Sequence, residues 1–430
     1  MSDMIRAIRG MNDLLPDQTP LWQKLEQVLR ATAAAHGYAE IRLPMVEETR
    51  LYARAIGEVT DIVEKEMYTF ADRSGDLLAL RPEGTAGCVR AAIEHNLLRH
   101  QQPRLFYQGP MFRYERPQKG RYRQFHQFGL ESFGISGPYV DAELILLSAR
   151  VWEQLGLSSQ VQLELNSLGQ AESRSAYRNA LVAYLEQYES DLDEDSQRRL
   201  RENPLRILDS KVESTQAILQ QAPVLLDFLD HASRLELDEI QQVLDDSGVP
   251  YRLNHRLVRG LDYYNHTVFE WVTNSLGTQG TVCAGGRYDR LVEQLGGDST
   301  PAVGMAFGME RLVLMLQQKQ TETDTQEVDM IVLGQGENFA RQALRLAHRL
   351  RSNVPNVRIL VHLQGGSFRS QFRRADRSGA ELALLLGEEE LRNRSVTLKW
   401  LRTGAEQVAE QQTIQQDEVL DWLHQHWIKK

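Results

Sequence analysis

Residues Arg104–Gly134 read RLFYQGPMFRYERPQKGRYRQFHQFGLESFG. Two aromatic-rich runs, Phe106–Tyr114 and Arg121–Phe133, alternate well enough to predict antiparallel strands. The polar crest between them, ERPQKGR, can only be a turn. Between Arg104 and Arg123, six basic residues (Arg104, Arg113, Arg116, Lys119, Arg121, Arg123) stand against one acid, Glu115. Tyr107, Phe112, Tyr114 and Tyr122 are interleaved with them. A cationic, aromatic hairpin suits a polyanionic and planar ligand, of which a nucleotide is the obvious case. The competing explanation is an Arg-rich hairpin whose charges are merely solvated.

Around this hairpin the chain runs to 430 residues, too many for one core, so two or three domains are expected. Its 42% hydrophobic and 25% charged residues fit a globular protein in water. No apolar run is long enough to cross a membrane, and the first residues lack the apolar core of a signal peptide. Cys88 and Cys283 form neither a disulfide framework nor a CxxC pair. Both read as buried thiols, and the chain as a reduced, cytoplasmic protein without structural zinc. The net charge of −10 hides an asymmetry. Residues 328–430 carry 15 basic and 12 acidic side chains, and 341–377 alone hold nine arginines and one acid, Asp376. Such a patch can bind a phosphate backbone whatever the global charge, although a salt-laced solvent face is the simpler alternative.

Upstream of the hairpin, Leu21–His36 reads as an amphipathic helix stopped by Gly37. Pro44 marks the following extended segment as an edge strand or bend. Strands at Met67–Phe70 and Leu77–Leu80 flank a turn, and Arg81-Pro82-Glu83-Gly84-Thr85 joins the second to a helix starting near Thr85. Such junctions aim backbone N–H groups and short polar side chains at one spot. Downstream, a helix at Val140–Leu155 leads to the strand VQLELNSLG. From 170 to about 250 the text turns helical and acid-rich, which predicts an inserted helical module. Strands return with YRLNHRLVRGLDYYNHTVFEWV, and PAVGMAFGMERLVLML predicts a strand, Gly308 as pivot, and a helix. Gln317–Glu327 has almost no apolar content and reads as a linker. Beyond it a β-α-β-α-β alternation predicts a small α/β domain with a parallel sheet.

The glycine clusters GTQGTVCAGGRYD and LGQGENF match neither a P-loop nor a dinucleotide fingerprint. If ATP binds, its phosphates must therefore be carried by arginines, and its base by aromatics. In Arg259–Trp271, RGLDYYNHTVFEW, a cation, an acid and two tyrosines can line a pocket for a small polar ligand; a hydrogen-bonded turn is the alternative. Glu83 and Glu131 can anchor a cationic group, or simply pair structurally. His126, among alternating strand residues, reads as a packed side chain, and His424 and His426 lack metal-ligand company.

Taken together, these stretches resemble class II aminoacyl-tRNA synthetases, specifically the histidyl-tRNA synthetase family, over essentially the whole chain. The segment near Pro44 resembles motif 1, FRYERPQKGRYRQFHQFGLESFG within 104–134 resembles motif 2, and GMAFGMERL within 304–316 resembles motif 3. RGLDYYNHTVFEW, AGGRYDRL and LRPEGTAG resemble signatures specific to the histidine enzymes. The resemblance implies an α+β fold: an antiparallel sheet flanked by helices over 1–325, interrupted by a helical insertion at 170–250, then an α/β anticodon-binding domain at 326–430. It implies ATP, L-histidine and tRNA(His) as partners, Mg²⁺ brought with ATP, a homodimer built through motif 1, and no metal held by the protein itself.

Carried over residue by residue, the resemblance gives Arg113 the α-phosphate of ATP, Phe125 and Arg311 the adenine, and Arg121 and Arg123 the outer phosphates. Glu83, Thr85 and Gln127 take the α-amino group of histidine, while Glu131 and Tyr264 take its imidazole, with Tyr263 beside them. Arg259 bridges the substrate carboxylate and the α-phosphate. Arg116 and Gln118 on the crest reach the tRNA end. Arg290 departs from the family, which usually has glycine there. The strongest rival is the non-catalytic, synthetase-like regulatory subunit of ATP phosphoribosyltransferase, which typically loses the motif arginines and the anticodon-binding domain. Arg113, Arg259 and Arg311 are all present here.

Overall fold

The computed structural model of the protein describes residues 4–57, 60–277, 280–319, 328–402 and 411–427. Two compact units emerge, Met1–Thr321 and Glu322–Lys430.

In the first unit, helix α1 (Thr19–Ala35) starts with a proline in its first turn and buries Leu21, Trp22, Leu25 and Leu29 on one stripe. Gly37, at φ 78°, stops it as expected. Each of those leucines, withdrawn from water, contributes about 2 kcal/mol. Strand β1 (Ala39–Glu40) is short, and β2 (Val46–Glu48) follows the bend at Pro44. Helix α2 (Thr49–Ile56), strands β3 (Thr69–Ala71) and β4 (Leu77–Leu80), and helix α3 (Thr85–Glu94) come next. The hairpin is β5 (Arg104–Phe112) and β6 (Gln124–Phe133), after which α4 (Tyr139–Leu155) and β7 (Gln162–Ser167) follow.

Between β7 and β8 lie the helices α5 (Ala171–Leu185), α6 (Glu194–Glu202), α7 (Glu213–Leu219) and α8 (His231–Asp246), joined by short 3₁₀ turns. Strands β8 (Tyr251–Leu253), β9 (Asn265–Val272) and β10 (Thr281–Arg287) return the chain to the sheet. Helix α9 (Leu291–Gln294), strand β11 (Ala302–Gly308) and helix α10 (Met309–Lys319) complete the unit. The expected linker thus begins as helix through Lys319, and its remainder, 320–327, lies outside the described residues.

Eight strands form one sheet in the order β1-β5-β6-β11-β10-β9-β7-β8. Its pairings are antiparallel except at the two edges. A second sheet, β2-β4-β3, has three strands. The register places Gln127 opposite Gly109 on one side and Gly308 on the other, and Glu131 opposite Leu105 and Gly304. Residues four apart on one strand share a face, so β6 aims Gln127 and Glu131 the same way.

Arg113, Tyr114 and Arg121–Arg123, expected on the strands, fall outside them, because the ladder ends at Phe112 opposite Gln124. The Tyr114 N–H is instead given to the Glu66 carbonyl at 2.6 Å, which splays the hairpin tip.

In the second unit, β12 (Met330–Gly334), α11 (Phe339–Asn353), β13 (Ile359–Val361), α12 (Phe368–Arg377) and β14 (Leu382–Leu386) give the expected alternation and parallel pairs. Two strands were not foreseen. After α13 (Glu388–Asn393), Arg394 adopts φ 53° and reverses the chain. β15 (Ser395–Trp400) and β16 (Gln411–Gln415) then add antiparallel to β14, giving the order β13-β12-β14-β15-β16, and α14 (Val419–His426) ends the unit.

Candidate active site

A cavity of about 950 Å³, counting its open mouth, lies on the face of the large sheet that β6, β10 and β11 share. Its wall includes Glu83, Thr85, Arg113, Arg121, Phe125, Gln127, Arg259, Tyr263, Tyr264 and Arg311, drawn from segments far apart in sequence. Glu131 lies one layer behind it, at 1% exposure. Arg123 is not on the wall: its guanidinium sits 3.9 Å over the Tyr114 ring, and its Nε donates to the Glu115 carbonyl at 3.2 Å. Arg116 and Gln118 are exposed on the crest, away from the cavity.

At the junction after β4 the backbone N–H groups expected to be exposed are taken by the protein's own side chain. The Glu83 carboxylate accepts the backbone N–H of Thr85 at 2.6 Å and of Ala86 at 2.9 Å, capping the first turn of α3. Burial nevertheless pushes its pKa up, against those two hydrogen bonds. Behind it, Glu131 accepts from Thr85 Oγ1 at 2.7 Å, from the Tyr107 hydroxyl at 3.0 Å, and from the Tyr288 hydroxyl. Burial dominates here as well and pushes the carboxyl up to about 8, with the Tyr288 and Thr85 hydrogen bonds opposing it. A side chain at position 304 would collide with this carboxylate, which accounts for the glycine on the neighbouring strand.

At the other end are the arginines. Arg113 donates from Nε to the Pro82 carbonyl at 2.9 Å, and its guanidinium lies 5.2 Å from the Phe125 ring centre. Arg311 holds the crest from beneath, Nε to the Gly120 carbonyl at 3.1 Å and Nη1 to the Thr281 carbonyl. Arg121 pairs with Glu115 and, at 3.7 Å, with Glu66. Arg259 pairs with Glu270, whose other oxygen accepts from Thr281 Oγ1 at 2.8 Å. Burial works against the Arg259 charge, but Glu270 prevails and holds the guanidinium well above its ordinary pKa.

Two polar atoms in this wall are buried with no hydrogen-bond partner: the Gln127 carbonyl oxygen and the Arg259 Nε. Both atoms are shielded from solvent, and the wall around them carries a carboxylate and an amide, Glu83 and Gln127, together with the guanidinium groups of Arg113, Arg121, Arg259 and Arg311. A ligand bearing both a cationic and an anionic group is complementary to that wall.

His126 is half-buried, its Nδ1 2.8 Å from Glu310 and its ring edge-on to Trp22 at 5.2 Å. Both cysteines are buried and burial pushes their thiols up; Cys283 lies on the cavity wall. No group of three or more His, Cys, Asp or Glu fit to hold a metal occurs among the described residues. Tyr107, Tyr288, Glu270, Thr281 and Glu310 are site residues that sequence reasoning did not single out. Tyr288 sits inside AGGRYDRL, and three glycines, Gly84, Gly129 and Gly304, are the local signal that bulky groups pass close by.

Comparison with known proteins bears on the family. Residues 10–312 match the family model for histidyl-tRNA synthetase, and 327–426 match that for an anticodon binding domain. The apo histidyl-tRNA synthetase of S. aureus is 36% identical and has a TM-score of 0.80, the match covering 97% of this chain and 99% of that one. A histidyl-tRNA synthetase from Nostoc sp. PCC 7120 shares the fold at 19% identity and TM-score 0.67, over 98% and 99% of the two chains. So does a Bacillus halodurans structure described as an ATP phosphoribosyltransferase regulatory subunit/histidyl-tRNA synthetase, at 20% identity and TM-score 0.65, over 90% and 99%. With one family model spanning most of the first unit and a relative of this identity aligned almost end to end, the chain belongs to the histidyl-tRNA synthetase family.

Proposed function

We propose that the protein is a histidine–tRNA ligase, which joins L-histidine to ATP as histidyl-adenylate and then passes it to the 3′ end of tRNA(His). The observation that carries this reading is a single cavity wall that brings Glu83, Gln127 and Tyr264 together with Arg113, Arg259 and Arg311. The α-ammonium of histidine goes to Gln127, Glu83 and Thr85, and the imidazole to Tyr264 and to Glu131, which must give up one of the three hydroxyls now bonded to it to reach the ligand, with Tyr263 packed against them. A site that offers both an acceptor and a hydroxyl rejects side chains that cannot answer them.

The substrate carboxylate is ionised at pH 7 and needs no general base. It attacks the α-phosphorus in line, pyrophosphate leaves, and Arg113 and Arg259 neutralise charge on the five-coordinate phosphorus. The adenine lies between Phe125 and Arg311, and Arg121 serves the outer phosphates. Arg123, stacked on Tyr114, would have to swing from that ring to join it. Mg²⁺ arrives with ATP; Glu115 and Glu310 line the cavity, and an ion that keeps most of its water needs only one or two carboxylates beside phosphate oxygens. In the second step the terminal ribose hydroxyl attacks the adenylate carbonyl and AMP leaves. Arg116 and Gln118, exposed on the crest, contact the tRNA end.

Histidine-dependent exchange of pyrophosphate into ATP tests the first step directly. Exchange with histidine and not with other amino acids is expected. Its absence with ATP and magnesium would favour the regulatory-subunit reading instead.

The anticodon role of 326–430 is supported by Arg341, Arg345, Arg369 and Arg373, exposed on α11 and α12. Removing 328–430 is expected to lower tRNA charging at least about tenfold more than pyrophosphate exchange, because several phosphate contacts disappear together. Equal losses in both assays would refute that division of labour. A homodimer through the segment after Pro44 is supported by exposed Met45, Val46, Phe70 and Leu77 on and beside the three-stranded sheet. A cytoplasmic location accords with a partner set of ATP, histidine and tRNA. No described helix is long and apolar enough to cross a membrane.

A further inference from the structure

From Leu257 to Tyr264 the chain has neither helix nor strand, yet it carries Arg259, Tyr263 and Tyr264. No sheet ladder holds this loop, so something else must fix it for chemistry that tolerates little misplacement. Asn166 of β7 donates to the Leu257 carbonyl at 3.0 Å and the Asp262 N–H is given to the Ile56 carbonyl at 3.1 Å. The carbonyls of the two residues that line the site, however, are taken by arginines of the helical insertion: Arg206 Nη1 donates to the Arg259 carbonyl at 3.0 Å, and Arg174 Nη1 to the Tyr264 carbonyl at 2.8 Å. Between these two points the Asp262 carboxylate accepts from Asn203 Nδ2 at 3.2 and 3.3 Å. The three donors bracket the loop from one side. A cleft of about 650 Å³, counting its open mouth, is lined by these same residues, while Leu257, Tyr263 and Tyr264 pack in one apolar cluster with Leu200, Ile207 and Leu208 of the insertion. Packing gives the loop a surface to rest on, and the directed hydrogen bonds fix its position along that surface. Burial lowers the pKa of Arg174, and the Asp262 carboxylate between the two contacts opposes that shift.

We propose that the helical insertion is a clamp on the Arg259 loop, with Arg206 and Arg174 as positioning residues that keep Arg259 in place for the adenylation step. The inference rests on the ligase reading for its catalytic consequence. It makes the insertion necessary before any tRNA binds. Arg206 acts on Arg259 through the backbone, so its loss should reduce turnover more than substrate affinity.

The test is Arg206→Met and Arg206→Lys, assayed by histidine-dependent pyrophosphate exchange without tRNA, together with amide hydrogen exchange over 258–264 in the substrate-free protein. Arg206→Met is expected to lower kcat about tenfold with the KM for ATP within about twofold, and Arg206→Lys, which keeps a donor, to recover most of the loss. The loop amides should exchange faster in Arg206→Met and near the original rate in Arg206→Lys. An unchanged kcat in Arg206→Met, or equal losses in both variants accompanied by a lower Tm, would overturn the clamp. Should the unaltered protein show no exchange with histidine, the ligase reading falls, and the amide rates still decide the clamp: equal rates in all three proteins sink it.

Discussion

Replacing Arg259 with histidine is expected to slow adenylate formation by about 10²-fold to 10³-fold while weakening histidine binding far less. The guanidinium is the cation placed to meet both the substrate carboxylate and the phosphate it attacks, and its value lies in the charge that develops at phosphorus. A shorter, mostly neutral imidazole cannot reach both. The Arg259→His change also strands Glu270, which would keep only Thr281 as a donor. Stability should therefore fall by on the order of 1–3 kcal/mol, and single-turnover rates must be measured on protein shown to be folded. Turnover equal to that of the unaltered protein would remove Arg259 from the mechanism.

Histidine affinity is expected to pass through a maximum near neutral pH, and Glu131 is the reason. Its buried carboxyl titrates at about 8, so in the empty site it keeps its proton below that pH. Free histidine carries a neutral imidazole above about 6.5. The complex needs one proton between carboxyl and imidazole, and between those two values the free partners bring it unaided. Above about pH 8 the empty site has lost it and must take one up on binding, so affinity falls by up to about tenfold per unit. Below about 6.5 the imidazolium brings one too many, and affinity falls again. Calorimetric titration of histidine without ATP, from pH 6 to 8.5, would reveal both limbs. Glu131→Gln should weaken binding by about 10²-fold or more and abolish the alkaline limb. A flat profile in the unaltered protein would show that no proton is shared there.

The hairpin and the junction before α3 were legible because their signals are local: alternation, a turn-rich crest, and a short polar run between strand and helix. Local signals also overextended the strands. Nothing near Arg113 shows that Glu66, nearly fifty residues away, takes the Tyr114 N–H and ends the ladder. The residues around Glu131 were illegible for the same reason. Tyr288 lies 157 positions from it and Tyr107 lies 24, and neither is unusual in its own segment. Only the register of β5, β6, β11 and β10 brings them together. Glu270 looked like any strand acid until β9 and β10 placed it beside Arg259 and Thr281. In the second unit, β16 reads QQTIQ, too polar for a hydrophobic pattern to reveal. Its pairing comes from backbone bonds to β15 and the Thr397–Thr413 hydroxyl contact at 2.7 Å.

The Glu83 carboxylate that would receive histidine's ammonium is also the cap that starts α3. Folding and recognition therefore share one side chain, and that shapes how such a gene can decay after duplication. A copy released from aminoacylation could shed Arg113, whose bond to the Pro82 carbonyl is a minor support, with little harm to its architecture. It could not shed Glu83 as freely, because the helix would lose the acceptor for its first amides. A descendant that has stopped activating amino acids should thus still carry this glutamate long after its arginines have drifted.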